Sequence, residues 1–520
     1  MVVPITLLPS GLVLQAAEDA PLSDLLFEQG VEFPCGGHGR CKGCRVKVSS
    51  STVPITSADA QRFSPAELSQ GWRLSCQLRA RGPLSLELAQ WSSAVLEDQS
   101  TLHVKPAEGL GIAIDLGTTT IAAQLVDLKS GTVLSVRTAL NAQAQHGADI
   151  MSRIDFAVNH GGQSRLQQLI RNQLRELVLS LLTPQPTPPC PVGEIVVVAN
   201  TAMHHLFCGL DLTPLSTYPF ESPHDGEWRS TAGELGWVDS VSPGSPPALP
   251  SSTSIRFLGG LGSFVGSDLT AGILATRMHE RRELTLLIDL GTNGEIVLGN
   301  RDRFLCTSTA AGPAFEGARI THGMRAATGA IAEVHLVGRQ LQCRVIGSVP
   351  PRGLCGSGLV DAAACALDLG MLQPDGRLPH GNPILLAPPI SVSQSDIREL
   401  QLAKGAIAAG VRTLLQQWGA AASDVTQVWL AGAFGNYLNR ISAQRIGLIE
   451  FPPEIVHPVG NTALLGAKLA LFLDSYPPDS NQHVLRSIRS RSRHVPLNDD
   501  PQFMDDFVDS MAFPKPSPPP

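Results

Sequence analysis

GIAIDLGTTTIAAQLVD, residues 111–127, is an apolar strand that ends in an acid, turns on glycine and hydroxyl residues, and returns as a second strand. LTLLIDLGTNGEIVLGN, residues 284–300, repeats the pattern, and five residues recur: Ile114-Asp115-Leu116-Gly117-Thr118 and Ile288-Asp289-Leu290-Gly291-Thr292. Such a hairpin points backbone N–H groups and Thr side chains at phosphate oxygens. Its glycine allows close approach, and its carboxylate can hold a hydrated Mg2+. A single Asp-Leu-Gly can be an ordinary turn, but two equivalent copies 174 positions apart imply two pseudo-symmetric lobes gripping one polyphosphate.

A third element lies downstream in VWLAGAFGNYL, a strand entering Gly432-Ala433-Phe434-Gly435. With it the sequence resembles the acetate kinase, sugar kinase, chaperone ATPase and actin superfamily, in which paired phosphate loops are followed by a glycine motif at the adenosine site. The resemblance implies ATP as the nucleotide. There is no P-loop ending in Gly-Lys-Ser/Thr, no G-x-G-x-x-G after a strand, and no G-x-S-x-G nucleophile elbow. His204-His205 in TAMHHLF lacks the spacing of a H-E-x-x-H metal site and reads as a pair without metal.

Around these motifs, glycine-punctuated strands alternate with alanine- and leucine-rich helices from residue 109 onward, the pattern of an α/β architecture. Apolar periodicity predicts helices over about 163–182 and 402–417. The Pro-, Ser- and Gly-rich stretch 213–253 reads as a surface excursion. Near the C-terminus, Asp500 as cap and Pro501 at the first position predict a helix whose Phe503, Met504, Phe507, Val508 and Met511 share one face. The expected organisation is a small β-rich domain at 1–92, a short connector at 93–108, a first lobe at 109–285, a second lobe with the C-terminal helix at 286–514, and a loose tail at 515–520.

The β-rich domain shows a hairpin pattern around Ser10-Gly11 and alternating strands in RVKVSS and LSLELAQ. It also holds four of the ten cysteines. FPCGGHGRCKGC places Cys35, Cys41 and Cys44 on one glycine-rich loop with C-x5-C-x2-C spacing, and Cys76 follows in WRLSCQ. Four cysteines could close a tetrahedral zinc site, but structural zinc usually takes two C-x2-C knuckles and only one is present here. Plant-type ferredoxins hold a 2Fe-2S cluster with the close variant C-x4-C-x2-C plus a distant fourth Cys. The longer first gap resembles vertebrate-type and related ferredoxins. Gly36, Gly37, Gly39 and Gly43 would let the loop wrap the inorganic core and aim amides at its sulfurs. An iron–sulfur cluster is the leading reading, with zinc and a bare thiol loop as alternatives. The other six cysteines read as core thiols.

Composition bounds the rest. With 43% hydrophobic and 16% charged residues the chain can bury sizeable cores, and a net charge of -7 leaves no electrostatic footprint for nucleic acid. No stretch approaches the roughly 20 apolar residues of a membrane span, and the N-terminus lacks a basic region ahead of its apolar residues. A soluble, cytoplasmic protein without membrane or nucleic-acid partners is expected.

A ferredoxin-like module ahead of an actin-like ATPase resembles the reductive activators of corrinoid proteins. The likeness runs through NAQAQHGADIMSRI, VVVANTAMHHL, DLGTNGE, AGPAFEGARI, GLCGSGLVDA, AGAFGNYL and FMDDFVDSMAFP, in the family's order. The connector is short, so no separate linker domain is expected. The resemblance implies an iron–sulfur, ATP-hydrolysing reductase that passes one electron from a 2Fe-2S cluster to inactive Co(II), restoring Co(I) for methyl transfer. Its partners would be a corrinoid protein of a methyltransferase system and a low-potential electron donor; the oligomeric state stays open, a homodimer included. By resemblance Cys35, Cys41, Cys44 and Cys76 ligate the cluster, and Asp115 and Asp289 order Mg2+ and water. Gly117, Thr118, Thr119, Gly291, Thr292 and Asn293 meet phosphates, and Gly432, Ala433 and Gly435 line the adenosine side. Glu295 is either a general base or an exposed strand-start glutamate. Gly312, Pro313, Glu316 and Ser357 are cleft residues or else belong to tight turns and helix starts. Alternative functions are redox activation of another low-potential metalloenzyme and a nucleotide-switched redox interaction module.

Overall fold

The computed structural model describes residues 2–8, 12–27, 39, 44–49, 53–88, 107–147, 149–182, 191–222, 224–238, 249–291, 293–317, 319–326, 329–435, 438–473 and 482–515. Packing divides the chain into two compact units, one of residues 1–31, 45–279 and 462–494, the other of 32–44, 280–461 and 495–520. The helix Thr462–Leu473 packs in the first unit, against the helix Ser267–Thr276. Ten of its twelve residues are buried, Lys468 among them, so no face of it is left to solvent. Gly466 makes the approach possible, since a Cβ there would stand 2.2 Å from the Ala271 carbonyl oxygen.

The N-terminal domain is a five-stranded sheet in the order β2-β1-β5-β3-β4, with β1 Val2–Leu8, β2 Leu12–Ala17, β3 Arg45–Val48, β4 Trp72–Leu74 and β5 Leu84–Leu88. The alternation of Val3, Ile5 and Leu7 buries one face of β1. β1 and β2 pair antiparallel, as the hairpin pattern predicts, while the turn itself lies outside the described residues. Two short helices, Ser57–Arg62 and Pro65–Ser69, each start in a capping box, Thr56 with Asp59 and Ser64 with Glu67.

In the first lobe β6 Leu110–Leu116, β7 Thr120–Asp127, β8 Val133–Leu140, β9 Val192–Val198, β10 Trp228–Thr231 and β11 Ser254–Phe257 form a sheet in the order β10-β11-β9-β6-β7-β8. β6 to β8 are antiparallel neighbours, and β9 and β11 run parallel to β6. The helix Gln163–Leu182 appears at the predicted place and buries Leu166, Ile170, Leu174, Leu177 and Leu181. The stretch 213–253 is more than an excursion. It supplies the edge strand β10, and its Trp237 is 1% exposed, packed edge-on to Phe207 in the core.

The second lobe repeats the arrangement. β12 Leu284–Leu290, β13 Gly294–Gly299 and β14 Phe304–Thr309 are antiparallel neighbours. A small three-stranded sheet, β15 Ala330–Val337, β16 Gln340–Val345 and β17 Gly353–Leu354, and the pair β18 Ile384–Ala387 and β19 Ile390–Val392 are inserted next. β20 Val425–Ala431 then runs parallel to β12, and β21 Val456–Gly460 parallel to β20. The order β21-β20-β12-β13-β14 matches β11-β9-β6-β7-β8 in sequence and sense, so the duplicated motif marks a duplicated fold.

The helix predicted from about 402 starts earlier, at Gln394, because Ser393 and Asp396 make a capping box, and it ends at Trp418 where Gly419 turns left-handed. The C-terminal helix spans Phe503–Met511, two residues later than expected, because the Asp500 carboxylate caps the Gln502 N–H ahead of the helix. Its inward stripe is Phe503, Phe507, Ser510 and Met511. Met504 and Val508, expected on that face, are exposed at 61% and 56%. Lys404 anchors its end by donating to the carbonyls of Ser510 and Ala512.

Candidate functional site

The first acid–glycine turn is set by the β6–β7 ladder, in which Asp115 lies opposite Ala122 and Leu116 opposite Ile121. The chain reverses through Gly117, Thr118 and Thr119. Only glycine fits at 117, where a Cβ would stand 2.4 Å from the Thr120 carbonyl oxygen. Two buried side chains, Asn141 and Arg153, and the half-buried Asn200 brace the turn. Asn141 Nδ2 donates to the Gly117 carbonyl at 3.0 Å, and Arg153 Nη2 donates to the Thr118 carbonyl at 2.7 Å. Asn200 Nδ2 donates to Thr118 Oγ1 at 2.9 Å and so orients that hydroxyl. Asn141 and Arg153 come from NAQAQHGADIMSRI and Asn200 from VVVANTAMHHL. The role of these two stretches was not evident from sequence.

Asp115 has an acidic neighbour that sequence reading missed. Asp268 stands in the first turn of the helix Ser267–Thr276. Burial first, and the Asp115 charge second, push its carboxyl up to about 7. Asp268 and Asp115 are thus acidic neighbours at the end of β6. Gly266 fixes the helix start, because a Cβ there would overlap the Ala199 carbonyl oxygen at 2.1 Å.

In the second lobe, Asp289 lies directly opposite Glu295 across the β12–β13 ladder. Directly opposed residues hold their Cβ atoms about 5 Å apart, and like charges there are unfavourable unless something shares them. Glu295 is 8% exposed, which removes the reading as an exposed strand-start residue. The turn closes through the Gly291 N–H donating to the Asn293 carbonyl at 3.0 Å; Thr292 lies outside the described residues. Gly432, with φ +83°, sits against this acid, for a Cβ there would stand 2.5 Å from Asp289 Oδ1. Phe434 stacks on Phe315 with centroids 4.5 Å apart, which joins the GAFG turn to the AGPAFEG segment. Gly312 is left-handed at φ +78° with open space where a Cβ would be, and Gly435 rests on Leu430. Described backbone at Pro313 and Ala433 continues these turns, and Glu316 is half-buried.

Ser357 behaves as a structural residue. It is 3% exposed and donates its hydroxyl to the Ala332 carbonyl at 2.8 Å. The histidine pair is structural as well. His204 stacks on Phe257 at 4.5 Å, and burial pulls it down to about 3, while His205 is held between the Asp211 carbonyl and Ser222 Oγ. Of the remaining cysteines, Cys306, Cys355 and Cys365 are buried and Cys208 and Cys343 half-buried, with burial pushing their thiols up.

Of the four N-terminal cysteines, Cys35 and Cys41 lie outside the described residues. Cys44 is fully buried immediately ahead of β3, and Cys76 is half-buried in the turn Ser75–Gln77 after β4. Arg45 pairs with Leu74, so the chain leaves Cys44 and approaches Cys76 on neighbouring strands. Asp59 secures this end, accepting from the Leu74 N–H at 2.8 Å while it closes the Thr56 capping box. Gln77 Nε2 stands 3.4 Å from Cys76 Sγ and donates to it. A buried cysteine and an amide-solvated sulfur at the ends of paired strands fit thiolate ligands of a cluster.

The geometry defines a class: a small β-sheet domain with cysteines at its strand ends, joined to two lobes that each carry an acid–glycine turn. Family models agree along the chain. A 2Fe-2S iron-sulfur cluster binding domain matches residues 5–81, the RACo middle region matches 110–281, and the C-terminal domain of RACo, the ASKHA domain, matches 283–519. The corrinoid activation enzyme RamQ of Eubacterium limosum is 33% identical over 78% of this chain and 70% of its own length. The [Co(II) methylated amine-specific corrinoid protein] reductase of Methanosarcina barkeri is 27% identical over 69% of each. A solved reductive activator for corrinoid, iron-sulfur protein superposes with a TM-score of 0.69 at 25% identity, covering 99% of this chain and 98% of that one. The chain belongs to the RACo-type family of reductive activators of corrinoid proteins. Among the described residues no helix is long and apolar enough to cross a membrane.

Proposed function

We propose that this protein uses ATP to drive one electron onto the inactive Co(II) of a corrinoid protein, restoring the Co(I) that methyl transfer requires. The observation that carries the proposal is the union, in one chain, of a 2Fe-2S domain with a duplicated acid–glycine ATPase fold, in a family whose named relatives act on corrinoid proteins. The cluster, when bound, supplies one-electron transfer near about -400 mV. Each further ~59 mV uphill costs a factor of ten in the equilibrium constant for one electron, so a corrinoid couple below that potential needs added driving force. The reductant is a low-potential donor, and the work is cytoplasmic.

Cys35, Cys41, Cys44 and Cys76 hold the cluster, and the Gln77 amide tunes the sulfur of Cys76. On the ATPase side, Asp115 with Asp268, and Asp289 with Glu295, are the carboxyl pairs suited to a hydrated Mg2+. The amides and hydroxyls of Gly117–Thr119 and Gly291–Asn293 meet phosphate oxygens, braced in the first lobe by Asn141, Arg153 and Asn200. Glu295, buried beside Asp289, takes the proton of the attacking water. Gly432, Ala433 and Gly435 line the adenosine side, with the Phe315–Phe434 stack fixing their turn.

The test mixes the protein with a reductant and a Co(II) corrinoid protein, with and without ATP, and follows Co(I) by its absorbance. Co(I) should form only with ATP. Asp289→Ala should abolish that formation while leaving the cluster spectrum intact. No Co(I) with any of a panel of corrinoid proteins, despite ATP turnover, would sink the proposal in favour of another low-potential metalloenzyme as acceptor.

A further inference from the structure

Beneath the first acid–glycine turn lies a cation that hydrogen bonding alone does not explain. Arg153 is 1% exposed. Its guanidinium donates to the Thr118 carbonyl at 2.7 Å, the Gly147 carbonyl at 2.9 Å, Gln143 Oε1 at 3.4 Å and Met203 Sδ at 3.5 Å. All four acceptors are neutral. The acid whose charge reaches it is Asp149, which also accepts from the N–H and hydroxyl of Ser152. Burial pulls the guanidinium down to about 10, so it keeps its charge at neutral pH. The Asp149 charge offsets only part of the burial cost, and a neutral amide side chain could brace the same carbonyls without that cost.

We propose that Arg153 is a positioning residue for nucleotide, and that polyphosphate bound at the Gly117–Thr119 turn supplies the counter-charge beyond that of Asp149. The inference rests on the nucleotide reading above. Thr118 C=O and Thr119 N–H belong to one peptide unit. A cation held against the carbonyl withdraws electron density from that unit and strengthens the N–H as a donor to a phosphate oxygen. The charge beneath the turn adds to the attraction for each anionic phosphate in a setting of low polarity. A residue that only supported the loop would affect all ligands of the site alike; a charge discriminates by ligand charge.

The experiment is calorimetry on the full chain at pH 7 with MgATP and with adenosine, for the wild type, Arg153→Gln and Arg153→Lys. Arg153→Gln should weaken MgATP by about tenfold, the effect of one partly screened charge, and adenosine by less than about twofold. Arg153→Lys, which keeps the charge, should keep MgATP within about threefold of the wild type. Arg153→Gln binding MgATP as tightly as the wild type would overturn the proposal, as would equal losses for both ligands with Lys no better than Gln. Should the Gln variant not fold, the Lys variant decides alone. An ATP-to-adenosine affinity ratio within about threefold of the wild type supports the proposal, and a ratio reduced about tenfold rejects it. A wild type that binds no MgATP would strike the nucleotide reading itself, and this inference would fall with it.

Discussion

At neutral pH the carboxyl of Asp268 stands near its midpoint, with burial and then the Asp115 charge as the causes. A carboxyl whose folded pKa is raised above the ordinary 3.8 binds more protons folded than unfolded between the two values, so stability falls as pH rises from about 4 to about 7. Without nucleotide or metal, the melting temperature should decline across that range, and Asp268→Asn should flatten the decline and raise melting at pH 8 by about 2 °C. Thermal denaturation between pH 5 and 8 checks it, and an unchanged slope in the variant counts against the Asp115–Asp268 coupling. Asp115 and Asp289 were legible because their turns repeat. Asp268 was not, because VGSDLTAG has no twin and gains its meaning only when the first turn of its helix is folded near Asp115. Glu295 was half legible: the residue was visible as an acid after a turn, but its burial and its place opposite Asp289 come from strand register.

Among the elements, the helix Thr462–Leu473 carries a lysine where an apolar residue would suffice. Lys468 is 5% exposed, and burial pulls its ammonium down to about 8 from 10.5. With the folded value depressed, the unfolded chain binds the extra proton between about 8 and 10.5. The destabilisation is therefore fully present below pH 8 and fades as pH rises through that window. Lys468→Met should stabilise the protein at pH 7 by about 1–3 kcal/mol, and the gain should shrink toward zero above pH 10; denaturant melts at both pH values measure it. Elements with strong periodicity, such as Gln163–Leu182, were readable in full. The helix Gln394–Trp418 was readable only in its apolar part, since its first two turns are announced by the Ser393–Asp396 capping box rather than by apolar spacing. The segment 213–253 misled because Pro, Ser and Gly dominate its composition, while its contribution to the core comes from single residues such as Trp237.

For the whole molecule, the duplicated turns and the cysteine spacing foretold two lobes and an iron–sulfur domain, and the two sheets of matching order carry the same duplication at larger scale. What the sequence did not disclose is that the chain returns to its first unit after the second lobe's last parallel strand. A largely apolar helix states that it must be enclosed, not by which partner. A chain ending at Asn461 should therefore lose cooperative folding in 109–279, though no residue of that region is removed. Hydrogen exchange and limited proteolysis would report it, and full protection of 109–279 in the truncated chain would contradict the assignment of Thr462–Leu473. The same return sets an order of assembly during synthesis. Until residue 473 has left the ribosome, the strands and helix that Thr462–Leu473 covers keep a naked greasy surface, so the nascent first lobe is a natural client for holding chaperones through most of translation.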